Sequence, residues 1–76
     1  MKSQSSSADR VAITINGEPR SAPADATVAS LLHHIGVQDD RVAVELNRQI
    51  VRRSEWETTQ IRAGASIEIV QFVGGG

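Results

Sequence analysis

The residues best placed to do chemistry close the sequence: Phe72-Val73-Gly74-Gly75-Gly76. Glycine has no Cβ, so a run of it is flexible when free and narrow when extended. A narrow tail can thread a channel and present the α-carboxylate of Gly76 to the active site of another enzyme. That carboxylate is a poor electrophile until it is activated. Attack of its oxygen on the α-phosphorus of ATP makes an acyl-adenylate, which a sulfur, nitrogen or oxygen nucleophile then opens. The plainer reading is a frayed chain end, and from the tail alone both readings stand.

The remaining polar clusters carry less. His33 and His34 are adjacent in a predicted helix, where neighbouring side chains point about 100° apart, so they cannot grip one metal from the same face. With no cysteine in the chain, thiolate zinc sites, disulfides and a cysteine nucleophile are excluded. No metal site is expected. Asp39-Asp40 reads as a solvated loop pair, without the ligand spacing of a calcium loop. Arg52-Arg53 could hold a phosphate, but the sequence has no glycine-rich phosphate cradle of the P-loop or dinucleotide type.

Composition narrows the class. Seventy-six residues make one domain at most, and 39% hydrophobic with 22% charged residues is a folding composition. A core this small leaves no room for an enclosed substrate cleft of its own. Net charge is −1; Lys2 and Arg10 against Asp9 leave the first ten residues at +1 and the body at −2. A slightly acidic body with Trp56 and Phe72 as its only aromatics argues against a nucleic-acid surface. No apolar run approaches the ~20 residues of a membrane span, and Met1–Arg10 lacks the apolar segment of a secretory signal. The expected compartment is the cytoplasm, with no membrane and no nucleic acid among the partners.

Short elements must position the tail. Residues 1–10 are polar and serine-rich and are expected to be a disordered tail. Val11–Asn16 alternates as a half-buried strand, and Asn16-Gly17 is a strong hairpin signal. The return strand through Pro19 to Ala22 belongs at an edge. Thr27 is an N-cap for a helix with Val28, Leu31, Leu32 and Ile35 on one face, closed by Gly36. At about two turns, that helix must dock on a sheet. Arg41–Leu46 alternates again, Asn47-Arg48-Gln49 turns, and Ile50-Val51 forms a very short strand. Ser54 is expected to cap a helical turn that carries Trp56. After a turn at Ala63-Gly64-Ala65, Ser66–Val73 is the last strand. The fold class is α+β: a mixed sheet of about five strands with one main helix packed across it. The helix is the crossover that permits a parallel neighbour, in the right-handed sense.

In the last strand Ile67 and Ile69 are assigned to the core, which leaves Val70 and Phe72 on the outer face. Adjacent exposed apolar side chains are often kept for a partner. Alternatively, the two cover a second small cluster with Trp56, whose own plain role is to close the core.

The tail, the strand order and the length together resemble the ThiS/MoaD family of ubiquitin-like, β-grasp sulfur carriers, with ThiS the nearer branch. The similarity covers Val11 to Gly76. It rests on Asn16-Gly17, on the Thr27-Val28-x-x-Leu31-Leu32 helix start, and on Phe72-Val73-Gly74-Gly75-Gly76. Most specific is the run Val44-x-Leu46-Asn47-x-x-Ile50-Val51-x-Arg53-x-x-Trp56. Two features depart from the pattern: the serine-rich extension before Val11, and Arg52 where the family often has proline. MoaD-type chains often carry prolines before the last glycines, where this chain has Val73.

The resemblance implies a β-grasp domain over residues 11–73 and a flexible Gly-Gly-Gly tail over 74–76. It implies a protein co-substrate rather than a catalyst, a sulfur carrier in thiamin (thiazole) biosynthesis with no bound cofactor. A ThiF-type adenylating enzyme would use ATP on Gly76. A persulfide, ultimately from a cysteine desulfurase, would convert the adenylate to a thiocarboxylate, and a ThiG-type thiazole synthase would take the sulfur. Gly76 would carry the cargo, Gly74 and Gly75 would give reach, and Val70 and Phe72 would dock the partner. The alternatives are a carrier for molybdopterin synthesis, a ubiquitin-like modifier, and an interaction module with an inert tail. For the modifier, Lys2 is the single lysine, so chains could not be built on the folded body.

Overall fold

Alternating apolar residues and tight turns generate the sheet. The computed structural model describes residues 10–37 and 41–72. Strand β1 spans Arg10–Ile15 and β2 spans Glu18–Pro23. They join through Asn16 (φ 52°) and Gly17 (φ 83°), the two left-handed residues whose twist matches a hairpin. Arg10 opens β1, one residue before the expected strand start, and its guanidinium donates to the Ser21 hydroxyl on β2. Both prolines, Pro19 and Pro23, lie in β2, an edge strand where a missing N–H is tolerated.

Helix α1 covers Val28–Ile35. Thr27 caps it reciprocally: its hydroxyl accepts from the Ser30 N–H at 3.2 Å, and the Ser30 hydroxyl accepts from the Thr27 N–H at 3.0 Å. At the other end Gly36 sits at φ 81°. The Gly36 N–H donates to the His33 carbonyl and the Val37 N–H to the Leu32 carbonyl, a paired closure that satisfies the last carbonyls.

Strand β3 (Val42–Leu46) and β4 (Gln49–Val51) form a second hairpin. Its loop is the pair Asn47-Arg48, both at positive φ (51° and 72°), and Gln49 already pairs with Leu46. The turn is therefore one residue shorter than expected. An arginine at positive φ is disfavoured locally, so the register of β3 against β4 imposes it. A 3₁₀ turn follows at Arg53–Glu55, with Arg52 at the cap position and no side-chain capping bond. Ser54 lies within the turn rather than capping it, because the turn and its cap position, Arg52, come two residues earlier than a Ser54 cap implies. Strand β5 runs Ser66–Gln71.

The sheet order is β2-β1-β5-β3-β4. β1 and β5 are parallel at the centre, and the other neighbours are antiparallel. The parallel partner of β1 is thus the last strand rather than the one that follows α1. The crossover carries the chain to β3, and β5 then fills the gap between β1 and β3. This is the β-grasp arrangement. Val28, Leu31 and Leu32 of α1 are buried in one core with Ile13, Ile15, Val44 and Ile67 from the sheet. Trp56 and Ile61 close that core. Trp56 is 6% exposed, and its indole N–H donates to the Val51 carbonyl at 2.9 Å. Among the described residues no buried side-chain polar atom lacks a hydrogen-bond partner.

Candidate functional site

β5 precedes the terminal glycines in the sequence, and its neighbours hold it on both flanks. On one flank the Thr14 N–H donates to the Ala65 carbonyl and the Asn16 N–H to the Ile67 carbonyl, at 3.0 and 2.8 Å. The parallel pairing then ends at Ile15 and Ile67. Beyond it the Asn16 carboxamide takes over the role of a further strand residue. Its Oδ1 accepts from the Ile69 N–H at 2.8 Å, and its Nδ2 donates to the Ile69 carbonyl at 3.3 Å. On the other flank β3 pairs from Leu46–Ile67 to Val42–Gln71, and the Phe72 N–H donates to the Arg41 carbonyl at 2.7 Å. Asn47 anchors the strand's start: its N–H donates to the Ser66 carbonyl and its Oδ1 accepts from the Ser66 N–H. Two asparagines at left-handed turns thus grip β5, one at its start and one at its middle. Asparagine tolerates positive φ, which the Asn16-Gly17 signal reveals; the reach of its side chain to Ile69 has no sequence signal.

The two faces of β5 separate as expected. Ile67 is buried and Ile69 packs against the core, while Val70 and Phe72 are 54% and 56% exposed. Trp56 is committed to the core, so the second cluster with Val70 and Phe72 does not form. Ile50 is a further exposed apolar residue, at 70%. The sequence carried a signal for it, since alternation puts either Ile50 or Val51 on the open face, and Val51 is the buried one. Val73, Gly74, Gly75 and Gly76 lie outside the described residues, as do residues 1–9 and the Asp39-Asp40 pair.

His33 and His34 are exposed on α1. Among the described residues no group of three or more His, Cys, Asp or Glu side chains could hold a metal ion, and no helix is long and apolar enough to cross a membrane. The Arg53 guanidinium stands 5.9 Å from the centroid of the Trp56 ring, a cation–π distance. The arrangement offers a strand held on both flanks, with an open apolar face, ahead of the glycine tail in the sequence.

The sequence model of the family described as the ThiS family matches residues 13–76. A thiazole synthase of Paramagnetospirillum magneticum is 44% identical over 64 residues, covering 84% of this chain and 20% of that protein. A thiazole synthase of Magnetococcus marinus is 39% identical over 64 residues, with the same shares. The chain therefore spans about a fifth of the length of these curated relatives. The crystal structure of the thiamine biosynthesis protein ThiS from Geobacter metallireducens superposes with a TM-score of 0.77 at 32% identity, covering 87% of this chain and all of that one.

Proposed function

The chain belongs to the ThiS family, and on that premise we propose that it is a sulfur carrier protein of thiamin biosynthesis. The observation that carries this reading is the span of the family match, which runs through the terminal glycines to residue 76. Gly76 is the reacting residue. Its carboxylate oxygen attacks the α-phosphorus of ATP on a ThiF-type adenylating enzyme, and pyrophosphate leaves. The sulfur of a persulfide, supplied through a cysteine desulfurase, displaces AMP from the acyl carbon. A second thiol cleaves the resulting acyl disulfide and leaves the thiocarboxylate.

Thiazole synthase is the acceptor in this reading. Support comes from the two thiazole synthases that contain a segment similar to this chain. A carrier segment within the synthase chain would hold sulfur donor and acceptor in one molecule; a separate carrier must dock instead. The protein is then a co-substrate, with Gly74 and Gly75 giving reach and Val70 and Phe72 meeting the enzyme.

The test is intact mass after incubation with ATP, an adenylating enzyme and a sulfur source, beside a variant lacking Gly76. A mass gain equal to exchanging one oxygen for sulfur, on the C-terminal peptide and absent from the variant, is expected. No gain, with an adenylating enzyme active on another carrier, refutes the reading.

A further inference from the structure

The sheet face turned away from α1 carries charge as well as apolar surface. Residues directly opposite in neighbouring strands share a face. The register sets Glu45 of β3 opposite Glu68 of β5 and opposite Ile50 of β4. Ile50, Glu45 and Glu68 therefore form one row across three strands. Ala43 and Val70 form the next row, and Phe72 follows Val70 by one further alternation along the chain.

Like charges directly opposite repel. Glu45 and Glu68 line one recess of about 380 Å³ with Arg48 and Ser66. Arg48 brings one positive charge to the same recess. Two carboxylates against that one cation leave the recess net negative, bracketed by exposed Ile50 on one side and by Val70 and Phe72 on the other. A bare apolar surface would not satisfy it. A surface presenting a cation from apolar surroundings would cover the hydrophobic residues and end the repulsion together.

We propose that this face docks thiazole synthase through an arginine or lysine side chain of the synthase, set among apolar residues, that inserts between Glu45 and Glu68. The assignment rests on the sulfur-carrier reading above. The synthase is the occupant because β5, which carries Glu68, Val70 and Phe72, is also the strand that delivers the tail, and because relatives of this chain are segments of thiazole synthases. A partner that takes the tail must sit over the end of this face. The carboxylate pair then sets the encounter rate and register, and the apolar residues set the lifetime of the complex.

The experiment measures association and dissociation rates of the chain with purified thiazole synthase from about 50 to about 500 mM NaCl, a range that shortens the screening length several-fold. The double variant Glu45→Gln, Glu68→Gln is expected to associate about 10-fold more slowly at low salt and to lose most of the salt dependence. Phe72→Ala should dissociate faster with an unchanged salt slope. Glutamine keeps the shape and removes the repulsion, so the unfolding midpoint should hold or rise; should the double variant fail to fold, Glu68→Gln alone carries the same test. Wild-type rates and salt slope in the glutamine variants overturn the proposal, as does an effect confined to the adenylating enzyme. Failure of the sulfur-carrier reading shows separately, as a wild-type chain that gains no sulfur in the mass assay.

Discussion

Replacing Asn16 tests whether its side chain holds β5. Its carboxamide makes two hydrogen bonds to Ile69, at 2.8 and 3.3 Å, across 53 residues of sequence. Each bond contributes about 0.5–1.5 kcal/mol net, toward the low end here because Asn16 is exposed. Asn16→Gly keeps the left-handed backbone and deletes the bonds, so it should destabilise by about 1–2 kcal/mol. Asn16→Ala adds a left-handed penalty of about 1–2 kcal/mol, for roughly 2–4 in total. Against a stability of roughly 4–11 kcal/mol for a chain of this length, both losses are large enough to measure. Urea unfolding followed by the fluorescence of Trp56, the single tryptophan, gives the free energies. Amide exchange at Ile69 locates the effect, since its N–H should exchange faster in both variants. The reasoning fails if Asn16→Gly stays within ~0.5 kcal/mol of the parent and Ile69 remains equally protected.

Three further outcomes follow from the geometry. Trp56→Phe leaves the Val51 carbonyl without its indole donor and should cost about 1–3 kcal/mol in a urea titration. Thr27→Ala removes one half of the reciprocal cap and should cost about 1 kcal/mol, read as a lowered thermal midpoint. Gly75→Val should leave the melting curve unchanged while the C-terminal peptide no longer gains sulfur in the mass assay, because a β-branched side chain widens the tail.

Much of the fold was legible because its signals act over a few residues. Alternation located β1, β3 and β5. Asn16-Gly17 marked its hairpin, and Thr27 and Gly36 bounded α1. Three features were not legible. The Asn47-Arg48 turn contains an arginine at φ 72°, which no propensity favours; strand pairing on both sides compels it. The cap expected at Ser54 fell two residues late, since Arg52 holds the cap position, because short 3₁₀ turns have no apolar period to count. The hydrogen bonds from Asn16 to Ile69 depend on β5 lying beside β1, which no local pattern specifies.

The candidate site divides in the same way. The glycine tail and the outward direction of Val70 and Phe72 follow from residue type and a period of two, which are properties of neighbouring residues. The insertion of β5 between β1 and β3 depends on contacts between residues far apart in the chain, selected by how α1 and the sheet together bury Ile13, Val44 and Ile67. That insertion sets Ile50 on the same open face as Val70 and Phe72, and it brings Glu45 opposite Glu68. Sequence separation hides such neighbours; only the strand order and register of the folded sheet decide them.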